Sequence, residues 1–533
     1  MKEGVADSLL ITRKEAFRVN PTTAQKLARR KRRISRRLDA RRRWRARKRP
    51  MFAARAIRYE LAGRDRGLCH GGIGAVHLLA RRVGLIEAID SGMHLLKVHL
   101  PYHESDHVLN IAYNLLCDGK CLEDLETLRN DEVYLDALGA RRIPDPTTAG
   151  DFCRRFQSDQ QILTLMETIN EVRLGVWKKQ EGSFFDRAMI DADGTIAPTF
   201  GQCKGGMNIS YDGQWGYHPL VISLANTKEP LYLVNRGGNR PSHEQADEYL
   251  DRAINLCRKA GFRSILLRGD TDFMQTWKLD EWDQAGDVTF AFGADASKPM
   301  IRRAESLPAT AWRRLEREPK YQVKTEPRAR RDNVKEQVVV DKGYKNLVLK
   351  WEEVSEFDYR PTLCRQSYRI IALRKKISVE QGQEKLFEEY RCFFYITNDR
   401  TSGAEQIVFT ANDRADQENL IAQLKGGTGS MRSPLDNLHS NWAYMVMASL
   451  AWTLKAWWGL MLPSDKGRWH ERHQRQRRQI VKMEFKQFVT NLIRVPCQII
   501  KAGRRLIYRM LNYNPWHGAL LRGVAAWRTR AQC

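Results

Sequence analysis

The sequence predicts an α/β fold in which a mixed sheet is interrupted by a β-rich insertion, preceded by a helical region and followed by a basic helical segment. Three observations support this prediction. Residues 188–270 follow a strand–helix–strand pattern, the composition turns charged and strand-prone between residues 300 and 390, and apolar residues recur at helical spacing between residues 70 and 175. A chain of 533 residues is too long for a single core, so we expect about two to four domains.

The chain is strongly basic, with a formal net charge of +27 and a pI near 9.8. A field of this sign favours a polyanionic partner, nucleic acid ahead of an anionic membrane surface. The basic run at residues 26–33 continues through residues 41–45 without an apolar stripe, which predicts a segment lying along a phosphate backbone; a disordered solubilising tail is the alternative. The arginines that we expect to contact phosphates there are Arg29, Arg30, Arg32 and Arg33.

The ten cysteines show no paired C-x-x-C spacing, which is typical of buried thiols in a reducing cytosol, and the N-terminal residues show no secretory signal. We therefore expect a cytoplasmic protein. Residues 442–462 are nearly all apolar and would span roughly 31 Å as a helix. Because Lys455 and two hydroxyl side chains interrupt them, they predict a buried helix of a large core and not a membrane span.

The stretch Ala188–Thr195 predicts an apolar strand that ends in acidic residues. Side chains alternate along a strand, so Asp191 and Asp193 share one face, and Gly194 then breaks the run. Carboxylates at a strand end indicate a metal site, whereas the Asp-Gly-Thr sequence alone is also typical of a simple turn.

A second strand ends in the same way. Ser242 and Gln245 predict a capping box for a helix that stops at Gly261, and residues 264–270 then form an apolar strand closed by Asp270. A strand–helix–strand unit predicts a parallel neighbour, and sites in open α/β sheets lie at the carboxyl ends of the strands. Neighbouring strands would bring Asp193 and Asp270 together, which favours the metal site over the turn.

Three further segments carry candidate DNA contacts. Asp145 as N-cap and Pro146 at the first helical position predict a helix bearing Arg154 and Arg155, which either enters a DNA groove or is structural.

In the insertion, the strand candidates are residues 337–340, 347–349 and 370–373, and the basic loop at 328–331 either touches DNA or is solvated. Trp312 and Trp351 there either stack on a displaced base or pack in the core, with packing favoured.

A late helix supplies a third acid. Over residues 414–425, Arg414, Glu418, Ile421 and Lys425 would lie along one side, and Gly426 and Gly427 end the run. An acid between two bases on one helix face is also typical of an ordinary surface ion-pair ladder.

The order of these parts resembles the DDE transposases of bacterial insertion sequences, within the ribonuclease-H-like group whose third acid lies in a Y-x2-R-x3-E-x6-K signature. Arg414, Glu418 and Lys425 match the R-x3-E-x6-K portion, while Ala411 occupies the Tyr position. The stretches at residues 191–195 and 268–273 resemble the first and second acid motifs of the family. The similarity covers roughly residues 70 to 460.

The resemblance implies a transposase that nicks the ends of its element and joins the freed 3′-hydroxyls to target DNA. Asp193, Asp270 and Glu418 would hold two Mg²⁺ ions, with Mn²⁺ as a substitute, and Arg414 and Lys425 would clamp phosphate. Asp191 and Asp272 remain the alternative ligands.

The partners would be double-stranded DNA, at the terminal inverted repeats and the target, and a second copy of the chain in a homodimer on two DNA ends. A repressor without catalysis and a nuclease without strand transfer are the alternatives.

The C-terminal part, from residue 466, is again basic, and Phe485, Phe488 and Leu492 lie on the stripe of an amphipathic helix. The predicted domains are a basic arm at 1–60, a helical DNA-binding domain at 61–180, a catalytic core at 181–300 and 391–465, a β-rich insertion at 301–390, and a basic helical C-terminal region at 466–533.

Overall fold

A large mixed sheet organises the fold. The computed structural model describes residues 21–38, 65–201, 204–317, 346–381, 384–465, 467–503 and 505–528. The described strands are β1 (Gly67–Leu68), β2 (Ala188–Gly194), β3 (Ala197–Pro198), β4 (Asn208–Ile209), β5 (Trp215–Tyr217), β6 (Leu220–Leu224), β7 (Glu229–Val234), β8 (Ile265–Gly269), β9 (Val288–Ala294), β10 (Arg313–Arg314), β11 (Asn346–Tyr359), β12 (Tyr368–Gln381), β13 (Glu384–Thr397), β14 (Cys497–Ala502) and β15 (Arg505–Met510). They form a nine-stranded sheet in the order β10-β11-β12-β13-β9-β8-β2-β6-β7, and two three-stranded sheets, β1-β14-β15 and β3-β5-β4.

Helices cover the faces and ends of this sheet. Those described are α1 (Pro21–Leu38), α2 (Ile73–Arg82), α3 (Leu85–Gly92), α4 (Glu104–Leu116), α5 (Leu125–Arg129), α6 (Glu132–Leu138), α7 (Pro146–Arg154), α8 (Asp159–Trp177), α9 (Ala246–Ala260), α10 (Leu279–Gln284), α11 (Lys298–Glu305), α12 (Ala404–Asn412), α13 (Ala415–Ala422), α14 (Leu438–Met461), α15 (His470–Lys482), α16 (Phe485–Phe488) and α17 (His517–Trp527). The predicted α/β class with a mixed sheet is confirmed.

Strand β2 is the third strand from one edge of the large sheet. It pairs antiparallel with β6 and parallel with β8, and β8 pairs parallel with β9. Helix α9 connects β7 to β8 and ends at Gly261, whose φ of 98° lies in the left-handed region that favours glycine. The predicted strand–helix–strand unit and its parallel pairing are therefore confirmed.

The predicted capping box at the start of α9 is wrong. A capping box needs an extended N-cap residue directly before the helix, but the residue in that position is Gln245, in the left-handed region at φ 61°. Ser242 lies farther upstream, so its hydroxyl does not cap the helix.

The β-rich insertion continues the large sheet and does not form a separate one. Strands β11, β12 and β13 each have 14 residues, and β13 pairs with β9 through residues 394–397. The predicted border at residue 390 therefore falls inside β13. The predicted loop at 328–331 and the predicted strand at 337–340 lie outside the described residues.

The two insertion tryptophans contact cations on the sheet. The guanidinium of Arg374 lies 4.2 Å from the ring centroid of Trp312, and the Lys376 ammonium lies 5.8 Å from that of Trp351. Cation–π contacts of this kind stabilise packing, which is the role that the sequence favoured for both rings.

Helix α14 corresponds to the apolar stretch at residues 442–462, and the prediction of a buried helix is confirmed. It packs against β7, α4 and α8. Three indole N–H groups fasten it to the start and end of β7: Trp442 donates to the Leu233 carbonyl, Trp452 to the Lys228 carbonyl at 2.6 Å, and Trp457 to Glu229 at 2.7 Å. Within the described residues, no helix has both the length and the apolarity needed to cross a bilayer.

The C-terminal region is only partly helical, because an antiparallel hairpin, β14–β15, separates α16 from α17. The predicted stripe residues Phe485, Phe488 and Leu492 are buried as expected. Strand β14 pairs with β1, so this region packs on the N-terminal helices.

The basic arm also differs from expectation. Residues 21–38 form α1, and one side of this helix is half-buried at Thr23, Leu27, Arg30 and Ile34.

Candidate active site

Two aspartates lie side by side where neighbouring parallel strands end. In the β2–β8 pair, Asp191 is opposite Arg268. Two residues further along each strand, at the same edge of the sheet, come Asp193 and Asp270. The alternation of side chains places all four residues on one face. The register of the β2–β8 pair therefore brings the two strand ends together, as predicted.

Asp191 is engaged in a buried ion pair with Arg268. It is fully buried, and both of its oxygens accept hydrogen bonds from Arg268, at 2.6 Å from Nε and 2.8 Å from Nη2. Asp272, the other alternative, is exposed, and its backbone N–H donates to Asp270 Oδ1 at 3.1 Å. Asp193 and Asp270 are each half-buried at the strand ends.

Burial and neighbouring charges shift the pKa values of the two half-buried acids. Burial raises the pKa of Asp193 to about 7, with further contributions from the charges of Asp270 and Glu418, while Arg414 opposes the shift. Burial also raises the pKa of Asp270, and Arg414 again opposes it. The three carboxylates and Arg414 therefore lie within electrostatic reach of one another.

The helix that carries Glu418 is anchored by the residue before it. Gln417 is buried, its Nε2 donates to the Val221 carbonyl at 3.0 Å, and its Oε1 accepts from the Ser223 hydroxyl. Both partners lie on β6, the strand that pairs with β2. This anchoring holds α13 beside β2 and leaves the Glu418 side chain exposed toward the acids.

The predicted helix over residues 414–425 is shorter than expected. Arg414 is the N-cap of α13, and Lys425 lies in a π-helical turn, Gln423–Gly427, that follows it. Burial lowers the pKa of Lys425, and the Asp193 charge opposes this. Both cations thus lie within electrostatic reach of Asp193, although a continuous α-helix does not connect them. π-Turns of this kind are frequent at functional sites.

Ala411 occupies the position where the signature has a tyrosine, and it is buried near the end of α12. It packs with Leu266 and Ala291, and the ring of Tyr395 lies against this cluster. The hydroxyl of Tyr395 lies 3.1 Å from Asn412 Oδ1.

The remaining predicted DNA contacts lie elsewhere on the surface. Arg154 pairs with Asp151 at 2.9 Å and with Asp436 at 3.2 Å, while Arg155 is exposed. The capping of α7 by Asp145 is confirmed, because its side chain accepts from the Thr148 N–H at 2.8 Å.

In the arm, Arg30 differs from its neighbours. Its Nη1 donates to the carbonyls of Met510 at 3.0 Å and Asn512 at 2.8 Å, which ties α1 to the C-terminal region. The other predicted phosphate contacts on α1 are exposed: Arg29, Arg32 and Arg33.

Sequence reasoning missed one acid near the site. Asp295 directly follows β9, the next parallel strand, and its charge contributes to the raised pKa of Asp270. It could have been found, since it repeats the pattern of an acid that closes an apolar strand.

The donor chemistry of this site fits a divalent cation. Asp193, Asp270 and Glu418 offer only carboxylate oxygens, the ligands that Mg²⁺ prefers, and the charges of Asp270 and Glu418 add to the burial that raises the pKa of Asp193. Among the described residues, however, no three Asp, Glu, His or Cys side chains are drawn together closely enough to hold an ion.

A family model and a solved structure are similar to this chain. No curated protein matches the chain. Among solved structures, a similar chain is that of the piggyBac transposase in a cryo-EM synaptic complex with hairpin DNA; it shares 9% sequence identity, the alignment covers 80% of this chain and 86% of that one, and the TM-score is 0.30. The family model described as transposase DDE domain group 1 matches residues 50–531, which confirms the resemblance predicted from the sequence: the protein belongs to this family of DDE transposases.

Proposed function

We propose that this protein is an active transposase that cleaves the DNA ends of an insertion sequence and joins their 3′-hydroxyls to target DNA. The observation that carries the proposal is the position of Asp193 and Asp270 at neighbouring strand ends, with Glu418, on a helix anchored on the adjacent strand, within electrostatic reach of Asp193. Family membership supports the same reaction class.

The three carboxylates would hold two Mg²⁺ ions, with Mn²⁺ as a substitute. When bound, such ions activate the attacking hydroxyl and stabilise the leaving oxygen of a phosphodiester. Arg414 and Lys425 bind the non-bridging phosphate oxygens, because a guanidinium and an ammonium form strong charge-assisted hydrogen bonds with phosphate. Asp191 and Arg268 keep β2 and β8 in register beneath the acids.

The order of strands supports a ribonuclease-H-like core. Strands β2, β6 and β7 form an antiparallel meander, and β8 and β9 continue the sheet in parallel on the other side of β2. In this assignment the insertion and the N- and C-terminal regions are additions around the core, with the domain borders predicted from the sequence except the one at residue 390, which falls inside β13.

DNA binding is assigned to the cationic surfaces. The exposed Arg29, Arg32 and Arg33 of α1, together with Arg155, are available to phosphates, whereas Arg30 and Arg154 already have protein partners. Two chains on two DNA ends, as a homodimer, would place one site at each end.

The test is cleavage of a supercoiled plasmid that carries the terminal inverted repeat, with Mg²⁺ and purified protein. Asp193→Asn, Asp270→Asn and Glu418→Gln are expected to abolish nicking. Asp416→Asn on the same helix is the matched control, since Asp416 pairs with Lys228 at 2.6 Å and should leave nicking intact.

Three other outcomes would change the proposal. Nicking by all three acid variants at the wild-type rate would disprove the site. Specific end binding without nicking by the wild type would indicate a DNA-binding repressor. Nicking without strand-transfer products would indicate a nuclease of the same fold.

A further inference from the structure

The turn that follows the second acid lies directly on the neighbouring strand. Strand β8 ends at Gly269, which pairs with Phe292 of β9, so Asp270 comes next to Gly293. A Cβ atom placed on Gly293 would lie 2.8 Å from the backbone nitrogen of Thr271 and 3.0 Å from the carbonyl carbon of Asp270. Since Cβ atoms essentially never approach other atoms more closely than about 3.0 Å, a side chain at this position would push the turn off the strand.

Space, and not conformational freedom, is what this position requires. The φ angle of Gly293 lies outside the left-handed region, and its other neighbour in the sheet is Tyr395 of β13, with which it pairs in register. An alanine would therefore fit the backbone conformation of the strand, and its contact with the turn is what excludes it.

The other end of the turn is anchored as well. The turn spans Thr271–Phe273, and Phe273 is fully buried. A Cβ atom on Gly269 would lie 2.6 Å from the Cβ atom of Phe273, so a second glycine admits this side chain. Between the two anchors, the Asp272 N–H donates to Asp270 Oδ1 at 3.1 Å, and the Phe273 N–H donates to the Asp270 carbonyl at 3.2 Å. The turn thus holds one oxygen of the acid with a backbone hydrogen bond.

We propose that Gly293 is a positioning residue for the second acid: by leaving room for the turn on β9, it holds the Asp270 carboxylate at the end of β8, next to Asp193, before any metal binds. This inference rests on the proposed function for the role of the carboxylate. Replacing a residue that orients a metal ligand commonly lowers metal affinity by about 10- to 100-fold. Gly293 has no side chain of its own, so its effect passes through the position of Asp270.

The first variant is Gly293→Ala, and Gly459→Ala is its matched control. A Cβ atom on Gly459 would lie 2.7 Å from Val481 Cγ2 and 3.1 Å from the Arg477 carbonyl oxygen, where α14 packs on α15, two helices that carry none of the three acids. In DNA-free protein, we expect Gly293→Ala to weaken Mn²⁺ binding about 10- to 100-fold in calorimetry and to speed amide hydrogen exchange at residues 272–273. Gly459→Ala should lower the Tm and leave both of these readouts at wild-type values.

A double variant tests whether the backbone of the turn is what Gly293 accommodates. The added Cβ atom would also lie 3.1 Å from Thr271 Cγ2. Thr271→Ala removes this methyl group and leaves the backbone in place, so Gly293→Ala with Thr271→Ala should bind Mn²⁺ as weakly as Gly293→Ala alone. Wild-type affinity in the double variant would overturn the proposal, as would unchanged affinity and exchange in Gly293→Ala, or an equal loss of affinity in Gly459→Ala.

The wild type alone decides the matter if Gly293→Ala does not fold. A turn held by β9 protects the amides of residues 272–273 from hydrogen exchange in metal-free protein. Exchange at the rate of an unstructured chain, slowed only when Mn²⁺ is added, would overturn the proposal. A wild type that never nicks DNA would refute the proposed function, whereas the exchange data would still support or overturn the role of Gly293.

Discussion

Asp191 and Arg268 face each other on adjacent parallel strands and form a two-point ion pair, with both carboxylate oxygens accepting from the guanidinium at 2.6 and 2.8 Å. Both side chains are almost fully buried. Arg268 also donates to the Thr410 carbonyl at 3.2 Å, which links the two strands to α12. The pair gives Asp191 a structural role in the sheet, and under the proposed function Asp193 is the neighbouring acid that takes part in the chemistry.

Removing Asp191 should therefore destabilise the protein more than removing Asp193. Asp191→Ala leaves the buried guanidinium without its partner, which costs about 3–5 kcal/mol in the free energy of unfolding. Asp193→Asn should leave that free energy unchanged or raise it, because it removes a carboxylate from a cluster of like charges. Denaturant unfolding of both variants measures the difference, and equal losses would contradict the division of roles.

The pKa of Asp193 predicts a pH dependence of stability in metal-free protein. Its value of about 7 lies above the value of about 3.9 in an unfolded chain, so the folded state binds more protons between these values. Stability should accordingly fall as pH rises from about 4 to about 7, by at most about 4 kcal/mol at about 1.4 kcal/mol per pKa unit.

Asp193→Asn should remove this slope. The measurement is the free energy of unfolding with a chelator at pH 5 and pH 8, for the wild type and the variant. If the difference between the two proteins is the same at both pH values, Asp193 does not titrate in this range.

Gln417 should control activity without touching DNA. Gln417→Ala removes the contacts that hold α13 on β6, so we expect a loss of about 1–3 kcal/mol in stability and slower cleavage, because Glu418 loses its position. Asp416→Ala is the control on the same helix: its ion pair with Lys228 is half-exposed at the carboxylate and contributes about 0–1 kcal/mol. Equal effects of the two substitutions would argue against the anchoring role.

Lys455 is expected to be a structural cation. Its Nζ donates to the carbonyls of Val481 at 2.8 Å and Met483 at 2.7 Å, at the end of α15, and lies 3.4 Å from the centroid of the Trp452 ring. Lys455→Met would leave buried carbonyls without donors, which we expect to cost about 2–5 kcal/mol in thermal or denaturant unfolding. Lys482→Met, at an exposed position of the same helix end, should change stability by less than about 0.5 kcal/mol.

The arm helix gives a test of DNA binding. Arg33 is exposed, so Arg33→Ala should weaken DNA binding and reduce the slope of log affinity against log salt concentration by about 1. Arg30 is bonded to the C-terminal region, so Arg30→Ala should leave the slope nearly unchanged and instead loosen α1. Binding titrations at several salt concentrations distinguish the two; equal slopes would mean that α1 does not contact phosphate.

Local sequence patterns were sufficient for the elements whose identity depends on near neighbours. The alternation in residues 188–195 and the acid closing residues 264–270 predicted the strands, and their parallel pairing followed from the connecting helix. The same pattern, an acid that closes an apolar strand, also marks Asp295 after β9.

Long-range contacts decided the rest. The structural role of Asp191 depends on Arg268, and no local pattern links the two residues. The π-turn that carries Lys425 depends on packing, since its own sequence continues a helical pattern as far as the glycines. Ser242 fitted a capping pattern, but the left-handed Gln245 shows that the chain enters α9 by another path.

The contact between Ser223 and Gln417 joins positions 194 residues apart, with the whole insertion between them. A site assembled across such a separation forms late, because the chain loses entropy in closing a large loop before the distant contacts can stabilise it. A nascent chain emerging from the ribosome would present its arm helix and its first two acids long before the helix that brings Glu418.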